Sequence, residues 1–325
     1  MAEDALKVGV IGVGALGRHH ARVWASVPGA RLVGVVDTEP ARAAEVAAQQ
    51  GCRAYGDVDA LLADVQAVSI AVPTVDHHAV ARRALEGGRD VLLEKPMTAT
   101  LEEADDLLAL AAQREAVLQV GHIERFNPAT EALLSAGKGA RFVEVHRLGS
   151  FSPRSLDVDV VLDLMIHDLD IVLCLDGSEP VQIEAVGVPV LTSRVDIANA
   201  RLRFASGLIA NLTASRVSVE KVRKFRVFAP RTYVSADFTA RESQVYRLEP
   251  DESGRPRIAS ARHGAPDQEP LRLQIEAFAK AVHDRSRPVV SGSDGRRALA
   301  LAHAILARMA DAPSGPAPSG PARLS

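Results

Sequence analysis

Three short runs of this chain hold side chains that could do chemistry. The first is Asp163-Leu-Met-Ile-His167-Asp-Leu-Asp170. A carboxylate and an imidazole four residues apart share one face of a helix. Around them lie Val160, Val161, Leu162, Leu164, Met165, Ile166, Leu169, Ile171 and Val172. Polar groups in so apolar a stretch are costly unless paired. The spacing therefore predicts an Asp163–His167 pair, with the carboxylate orienting the imidazole as a general base near neutral pH. A hydrogen-bonded core pair without a catalytic role is the alternative. Asp168 and Asp170 either face solvent or satisfy neighbours. Asp163, His167 and Asp170 would give a metal too few ligands, and no metal is expected.

The second run is Glu94-Lys95-Pro96. Pro96 fixes its own φ and biases Lys95 towards extended backbone. At a strand end beside a cofactor, the Lys95 ammonium could polarise a hydroxyl or carbonyl oxygen and hold a substrate. The alternative is a surface lysine. The third run is Gly121-His122-Ile-Glu124-Arg125-Phe126-Asn127-Pro128. Here His122 could contact substrate or cofactor. Arg125 either binds an anionic group or ties two domains together. Arg216, Lys221, Arg223, Lys224 and Arg226 form a basic stretch, which is a solvated strand face or a site for a phosphate-bearing substrate.

These runs need elements to hold them. Residues 5–11 (ALKVGVI) read as a buried strand, Gly12-Val-Gly14-Ala15-Leu16-Gly17 as a tight turn, and residues 18–24 as the opening of a helix. Residues 31–36 form a second strand that ends at Asp37, 20 residues after Gly17. This is the dinucleotide pattern. The first glycine allows the turn, the second lets backbone approach a pyrophosphate, and the third lets helix and strand pack closely. The helix N-terminus offers free amides to phosphate, and Asp37 can accept bonds from the adenosine ribose. A carboxylate there repels a 2′-phosphate, so NAD is favoured over NADP, although Arg42 is a cation close by in sequence. Further strands at 65–72, 90–93 and 117–121 alternate with helices at 40–50, 57–64 and 76–86 and one capped by Thr100 and Glu103. Such alternation makes a doubly wound parallel sheet, with ligands beyond the carboxyl ends of its strands. Pro73, Thr74, Glu94, Lys95 and His122 stand at such ends. His77, shortly after Pro73, is read as bonding locally rather than catalysing.

After residue 122 the pattern changes. A strand at 141–150 and a long apolar helix at 158–175 are followed by strands near 181–188, 199–205, 208–215, 224–229, 232–238 and 243–248, then helices at 271–285 and 294–310. The fold class is α/β: a Rossmann domain over 1–122, and an α+β domain over 123–311 with a large open, mostly antiparallel sheet. The second domain would bind substrate and self-associate across its sheet as a dimer or tetramer. The tail, 312–325, is rich in Pro, Ala, Gly and Ser and is expected to be disordered. With 325 residues, 47% of them hydrophobic, the chain can bury two cores. A net charge of −3 and 4% aromatic residues argue against nucleic acid as a partner. Two cysteines, Cys52 and Cys174, suggest no disulfide framework. No leader-like start or bilayer-length apolar run is evident, so a cytoplasmic protein with no membrane partner is expected.

The glycine turn, Val72-Pro73-Thr74 with His77, Val91-Leu-Leu-Glu94-Lys95-Pro96 and Asp163-x-x-x-His167-x-x-Asp170 together resemble the Gfo/Idh/MocA family. Its members are NAD(P)-dependent oxidoreductases of sugars and polyols. The resemblance covers about residues 5–310. It implies Lys95, Asp163 and His167 as a catalytic trio, with His167 the acid/base. The expected cofactor set also includes Pro73, Thr74, His77, Glu94 and Lys95, and the expected substrate set is His122, Arg125, Asp163 and His167. One departure is Ser155-Leu-Asp-Val-Asp159, where many members carry a Gly-Gly pair. Residues 121–128, 163–170 and Ser215-Arg-Val217 are further similar to the branch that oxidises the 3-hydroxyl of UDP-N-acetylglucosamine. That product is consumed by an aminotransferase, for instance towards lipid A variants. A polyol or free-sugar dehydrogenase, and a dinucleotide-binding regulator without turnover, are the alternatives.

Overall fold

Strand and helix alternate from Leu6 to Val120 in the computed structural model, which describes residues 5–151, 158–265 and 267–310. The order is β1 (Leu6–Ile11), α1 (Gly17–Trp24), β2 (Ala30–Val36), α2 (Pro40–Gln50), β3 (Arg53–Tyr55), α3 (Val58–Asp64), β4 (Ala67–Ile70), α4 (Thr74–Glu86), β5 (Asp90–Leu93), α5 (Leu101–Gln113) and β6 (Leu118–Val120). All pair in parallel, in the order β3-β2-β1-β4-β5-β6. The chain reverses direction across the sheet between β1 and β4, which opens a crevice at their carboxyl ends. Local chemistry fixes the helix ends. Thr100 and Glu103 form a reciprocal capping box at the start of α5, and Gly51 closes α2 with φ 65°. The edge strand β3 is absent from the sequence reading, because three residues are too few to show a period.

A 3-10 turn (Ile123–Phe126) leads to α6 (Pro128–Ala136) and β7 (Phe142–Leu148). A π-helical turn (Val161–Met165) then runs into α7 (Ile166–Asp176). There follow β8 (Pro180–Val188), β9 (Ile197–Phe204), β10 (Ile209–Ser215), β11 (Val222–Ala229), β12 (Thr232–Asp237), β13 (Glu242–Pro250) and β14 (Pro256–Gly264). Their order is β14-β13-β12-β11-β7-β10-β9-β8, antiparallel except where β7 meets β10. The last strand, β14, is highly polar and largely exposed, so it carries no apolar alternation by which a sequence could reveal it. The inner face, with Ala198, Ala200, Leu202, Phe204, Phe225 and Val227, packs against α7 and α9 (Gly292–Ala310).

The last helices return to both sheets. Leu271, Ile275 and Phe278 of α8 (Pro270–Asp284) join the core beside β1, where Phe278 meets Trp24 edge-on at 6.2 Å. Full burial of a phenylalanine is worth about 1.5–3 kcal/mol. On α9, Leu299 packs with the first sheet while Ala298, Leu301 and Ile305 pack with the second. One helix thus joins the two cores and fixes the crevice between them. The tail at 312–325 and residues 155–157 of the Ser155–Asp159 departure lie outside the described residues.

Candidate active site

The glycine turn has three differently crowded positions. Gly12 has φ +79°, and a Cβ there would press on Val72 and the Ala71 carbonyl. A Cβ at Gly17 would collide with the Gly12 carbonyl. At Gly14 an added Cβ meets nothing within 4 Å, so the missing side chain leaves open space just before α1. The amides of Ala15 and Leu16 make no hydrogen bond among the described residues. Open space and unpaired amides at a helix N-terminus fit a dinucleotide pyrophosphate. Asp37, at the end of β2, accepts from the Val13 amide at 2.8 Å, the Glu39 amide at 2.9 Å and Arg42 Nη1 at 3.0 Å. The carboxylate is thereby fixed at the end of β2, and Arg42 is bound to it.

Beyond the turn lies a cleft of about 430 Å³ lined by Leu16, Ala71, Val72, Pro73, Thr74, His77, Glu94, Lys95, Pro96, Val158 and Asp163. It sits at the carboxyl ends of β1, β4 and β5. A larger hollow of about 780 Å³ lies at the amino ends, between Leu6, Gly29, Asp90 and Arg285, so size alone does not locate the site. In the cleft, Lys95 Nζ donates to the Asp163 carbonyl at 2.7 Å and to Asp163 Oδ1 at 3.1 Å. This corrects the expected Asp163–His167 pair: among the described residues no hydrogen bond joins those two side chains. The reason is charge. An ammonium delivered from β5 binds a carboxylate more strongly than a neutral imidazole does. The π-helical turn, in which the Ile166 amide donates back five residues to Val161, contains Asp163 and presents it to Lys95.

His167, the second residue of α7, is 9% exposed. Burial lowers its pKa well below the ordinary imidazole value, and the charges of Lys95 and Arg147 add to the shift. It is therefore neutral at pH 7 and able to accept a proton. His122 lies edge-on against it, with ring centroids 5.9 Å apart, and burial pushes its pKa down to about 3. Neither His122 nitrogen, nor His167 Nδ1, has a partner among the described residues.

Other residues expected at the site do different work. His77 is buried, with Nδ1 2.8 Å from the Pro96 carbonyl and Nε2 3.0 Å from the Val72 carbonyl. It braces two strand-end loops against each other, and its ring nitrogens face protein rather than cofactor. The Glu94 carboxylate turns inward to His20 Nε2 at 3.1 Å. Burial acts to raise its pKa, but the His20 bond and the Lys95 charge outweigh this and hold it below the usual carboxylate range. Arg125 does not line the cleft. Its Nε stands 3.7 Å from Asp170 and its Nη2 donates to the Val289 carbonyl, which ties the 3-10 turn to α7 and to the segment before α9. Both partners lie, like Arg125 itself, within 123–311, so these bonds join parts of the second domain.

Beneath the site is a charge cluster that sequence reasoning missed. Arg147 donates to both Asp168 oxygens, at 2.8 and 2.7 Å, and to Glu124 Oε1 at 2.8 Å, all of them buried. Asn127 Nδ2 completes Glu124 from the other side at 3.0 Å. The cluster pins α7, and so His167, to β7 and the 3-10 turn. One signal was available: Arg147 follows Val143 and Val145 at period two, which puts a cation on the buried face. The basic stretch is split by the same alternation. Lys224 pairs with Asp237 and Arg226 with Glu144, each at 2.8 Å, while Arg216 is buried against Asp196 at 2.8 Å. Among the described residues no group of three or more His, Cys, Asp or Glu gathers as a metal site.

A parallel sheet with a glycine-turn cradle, a Lys95–Asp163 pair at its crevice and a neutral imidazole one helical turn further on fits a dinucleotide-dependent oxidoreductase. The model of the oxidoreductase family with NAD-binding Rossmann fold, GFO/IDH/MocA, matches residues 6–122, and that of the GFO/IDH/MocA C-terminal domain matches residues 143–234. The chain belongs to this family, and its cofactor is NAD. It is 46% identical over 301 residues to the UDP-N-acetylglucosamine 3-dehydrogenase of Acidithiobacillus ferrooxidans, covering 91% of this chain and 95% of the relative. A crystal form of that enzyme superposes with a TM-score of 0.87 at 43% identity, covering 94% and 97% of the two chains. The inositol 2-dehydrogenase of Rhizobium meliloti is 29% identical, over 94% and 97%. Levoglucosan dehydrogenase with NADH and levoglucosan shares the fold, with a TM-score of 0.85 at 20% identity and coverage of 94% and 97%.

Proposed function

We propose that this protein oxidises the 3-hydroxyl of UDP-N-acetylglucosamine. The observation that carries the reading is the Lys95–Asp163 pair in the cleft, with neutral His167 one helical turn on, in a chain 46% identical to an enzyme of that name. Gly12, Gly14, Ala15, Leu16, Gly17 and Asp37 hold the dinucleotide, with Pro73 and Thr74 along the cleft wall. NAD held there would supply the acceptor for a hydride from the carbinol carbon. Lys95 Nζ hydrogen-bonds the reacting oxygen and stabilises the negative charge that grows on it. Asp163 holds that ammonium in place. Neutral His167 accepts the hydroxyl proton, so the alcohol becomes a ketone with one hydride and one proton removed. His122 packs on His167 and keeps the imidazole dry.

In this reading residues 1–122 serve the cofactor, and residues 123–311 serve substrate and self-association. Phe142, Phe228, Tyr233 and Tyr246 form an aromatic row across the second sheet, with neighbouring rings 5.7, 4.9 and 5.6 Å apart. Such a row suits a homo-oligomer. No helix among the described residues is long and apolar enough to cross a membrane, and we place the protein in the cytoplasm. There an aminotransferase would consume the ketone, as on a route to 3-amino sugars of lipid A variants.

The test is NADH formation from NAD with UDP-N-acetylglucosamine, other UDP-sugars, inositol and glucose, each with and without an aminotransferase and glutamate. Turnover confined to UDP-N-acetylglucosamine is the expected result. Turnover of inositol or glucose alone would overturn the substrate, and silence with every sugar would favour a regulator.

A further inference from the structure

Arg223 stands apart from the other cations of the basic stretch. It lies on β11 opposite Arg147 of β7, and directly paired residues of an antiparallel ladder point to the same face. That face is the inner one, shared with Phe225 and Val227. Lys224 and Arg226 alternate to the outer face, where Asp237 and Glu144 neutralise them. Arg223 therefore points to the side of the sheet that carries His167, Asp168 and Glu124.

Its bonding there is incomplete. The nearest carboxylate oxygen, Glu124 Oε1, is 3.8 Å away, beyond hydrogen-bond range. That oxygen already receives Arg147 Nη1 at 2.8 Å. Among the described residues the Arg223 side chain has an ion pair but no hydrogen bond, and it is 40% exposed. Glu124 thus holds a guanidinium in place without using its donors. The positive charge of Arg223 is among those that lower the His167 pKa, so the two groups share one electrostatic neighbourhood.

We propose that Arg223 anchors the anionic part of the substrate, a phosphate ester on the anomeric carbon of the sugar being oxidised. A guanidinium fork matches phosphate oxygens two at a time. A neutral polyol would leave it unmatched. The proposal rests on the nucleotide-sugar reading above and names the residue that makes the protein prefer a phosphorylated sugar.

The experiment compares wild type with Arg223→Met, Arg223→Lys and Lys224→Met. It measures KM and kcat for UDP-N-acetylglucosamine, the dissociation constant of UDP alone, the dissociation constant of NAD and the thermal midpoint. Arg223→Met should raise the KM and the UDP constant about ten- to a hundredfold, with NAD binding and thermal midpoint unchanged. Arg223→Lys should recover part of the loss. Lys224→Met, on the other face, should match wild type. Unchanged KM and UDP affinity in a folded Arg223→Met overturns the proposal, as does equal loss in Lys224→Met. If wild type does not oxidise UDP-N-acetylglucosamine, the substrate reading fails by itself. UDP binding, and its dependence on Arg223, still decides the role of the arginine, and a wild type that does not bind UDP refutes it.

Discussion

Two alanine substitutions three positions apart in sequence, at Gly14 and Gly17, separate a cradle for phosphate from a mere tight turn. An alanine methyl at Gly14 meets no protein atom within 4 Å, and Gly14 is not among the positive-φ glycines. Gly14→Ala should therefore change stability by no more than about 0.5 kcal/mol. The methyl would, however, occupy the approach to the free amides of Ala15 and Leu16. Displacing one charge-assisted amide–phosphate bond costs about 1.5–3 kcal/mol, which is roughly a ten- to hundredfold rise in the NAD dissociation constant. At Gly17 the methyl would run into the Gly12 carbonyl, and α1 must move away from β1. Overpacking of this kind costs about 1–3 kcal/mol, or about 2–4 °C of thermal midpoint per kcal/mol. The assay is NAD titration by fluorescence or calorimetry beside thermal unfolding of both variants. A folded Gly14→Ala that binds NAD like wild type would refute the cradle. Equal destabilisation by both substitutions would show that Gly14 is packed against protein after all.

Four further outcomes follow from the site. His167→Ala should lower kcat by about 10²–10⁴ with little effect on the NAD dissociation constant. In wild type, because the base must be neutral and burial depresses its pKa, kcat/KM should fall with acid only below the ordinary imidazole pKa; a His167-dependent limb at or above that value contradicts the assignment. Arg147→Met strands Glu124 and Asp168 as buried carboxylates without their cation, at a cost of about 3–5 kcal/mol, and chemical denaturation with an unshifted midpoint would disprove it. Asp37→Ser removes the charge that repels a 2′-phosphate and releases Arg42 from its 3.0 Å bond; the ratio of NADP to NAD efficiency should rise about tenfold or more, and an unchanged ratio in steady-state kinetics counts against that corner as the specificity point.

Much of the cofactor half was legible because its chemistry is local. A glycine turn, a following helix and an acid at the next strand end lie within a few dozen residues, and each has a task that a single residue type performs. The cap of α5 was equally legible, in Thr100 with Glu103. The substrate half was legible only in composition. Lys95, Asp163 and His167 could be picked out as polar groups in apolar surroundings. Which of them pair could not, since Lys95 and Asp163 are 68 residues apart and a helical wheel ranks the four-residue neighbour first. Arg125 shows the same limit, because an anion site and a structural ion pair such as that with Asp170 use the same residue type.

The sequence by itself determined the parallel sheet, the dinucleotide corner and the set of groups able to move a proton, because hydrophobic period, glycine geometry and capping act over short stretches of chain. Tertiary structure decided the partners. It gave Asp163 to Lys95, Glu94 to His20 and Asp168 to Arg147, turned His77 into a brace, and sent alternate cations of one basic stretch to opposite faces of a sheet. Buried charges take the nearest strong partner in space, and distance along the chain does not say which partner that is.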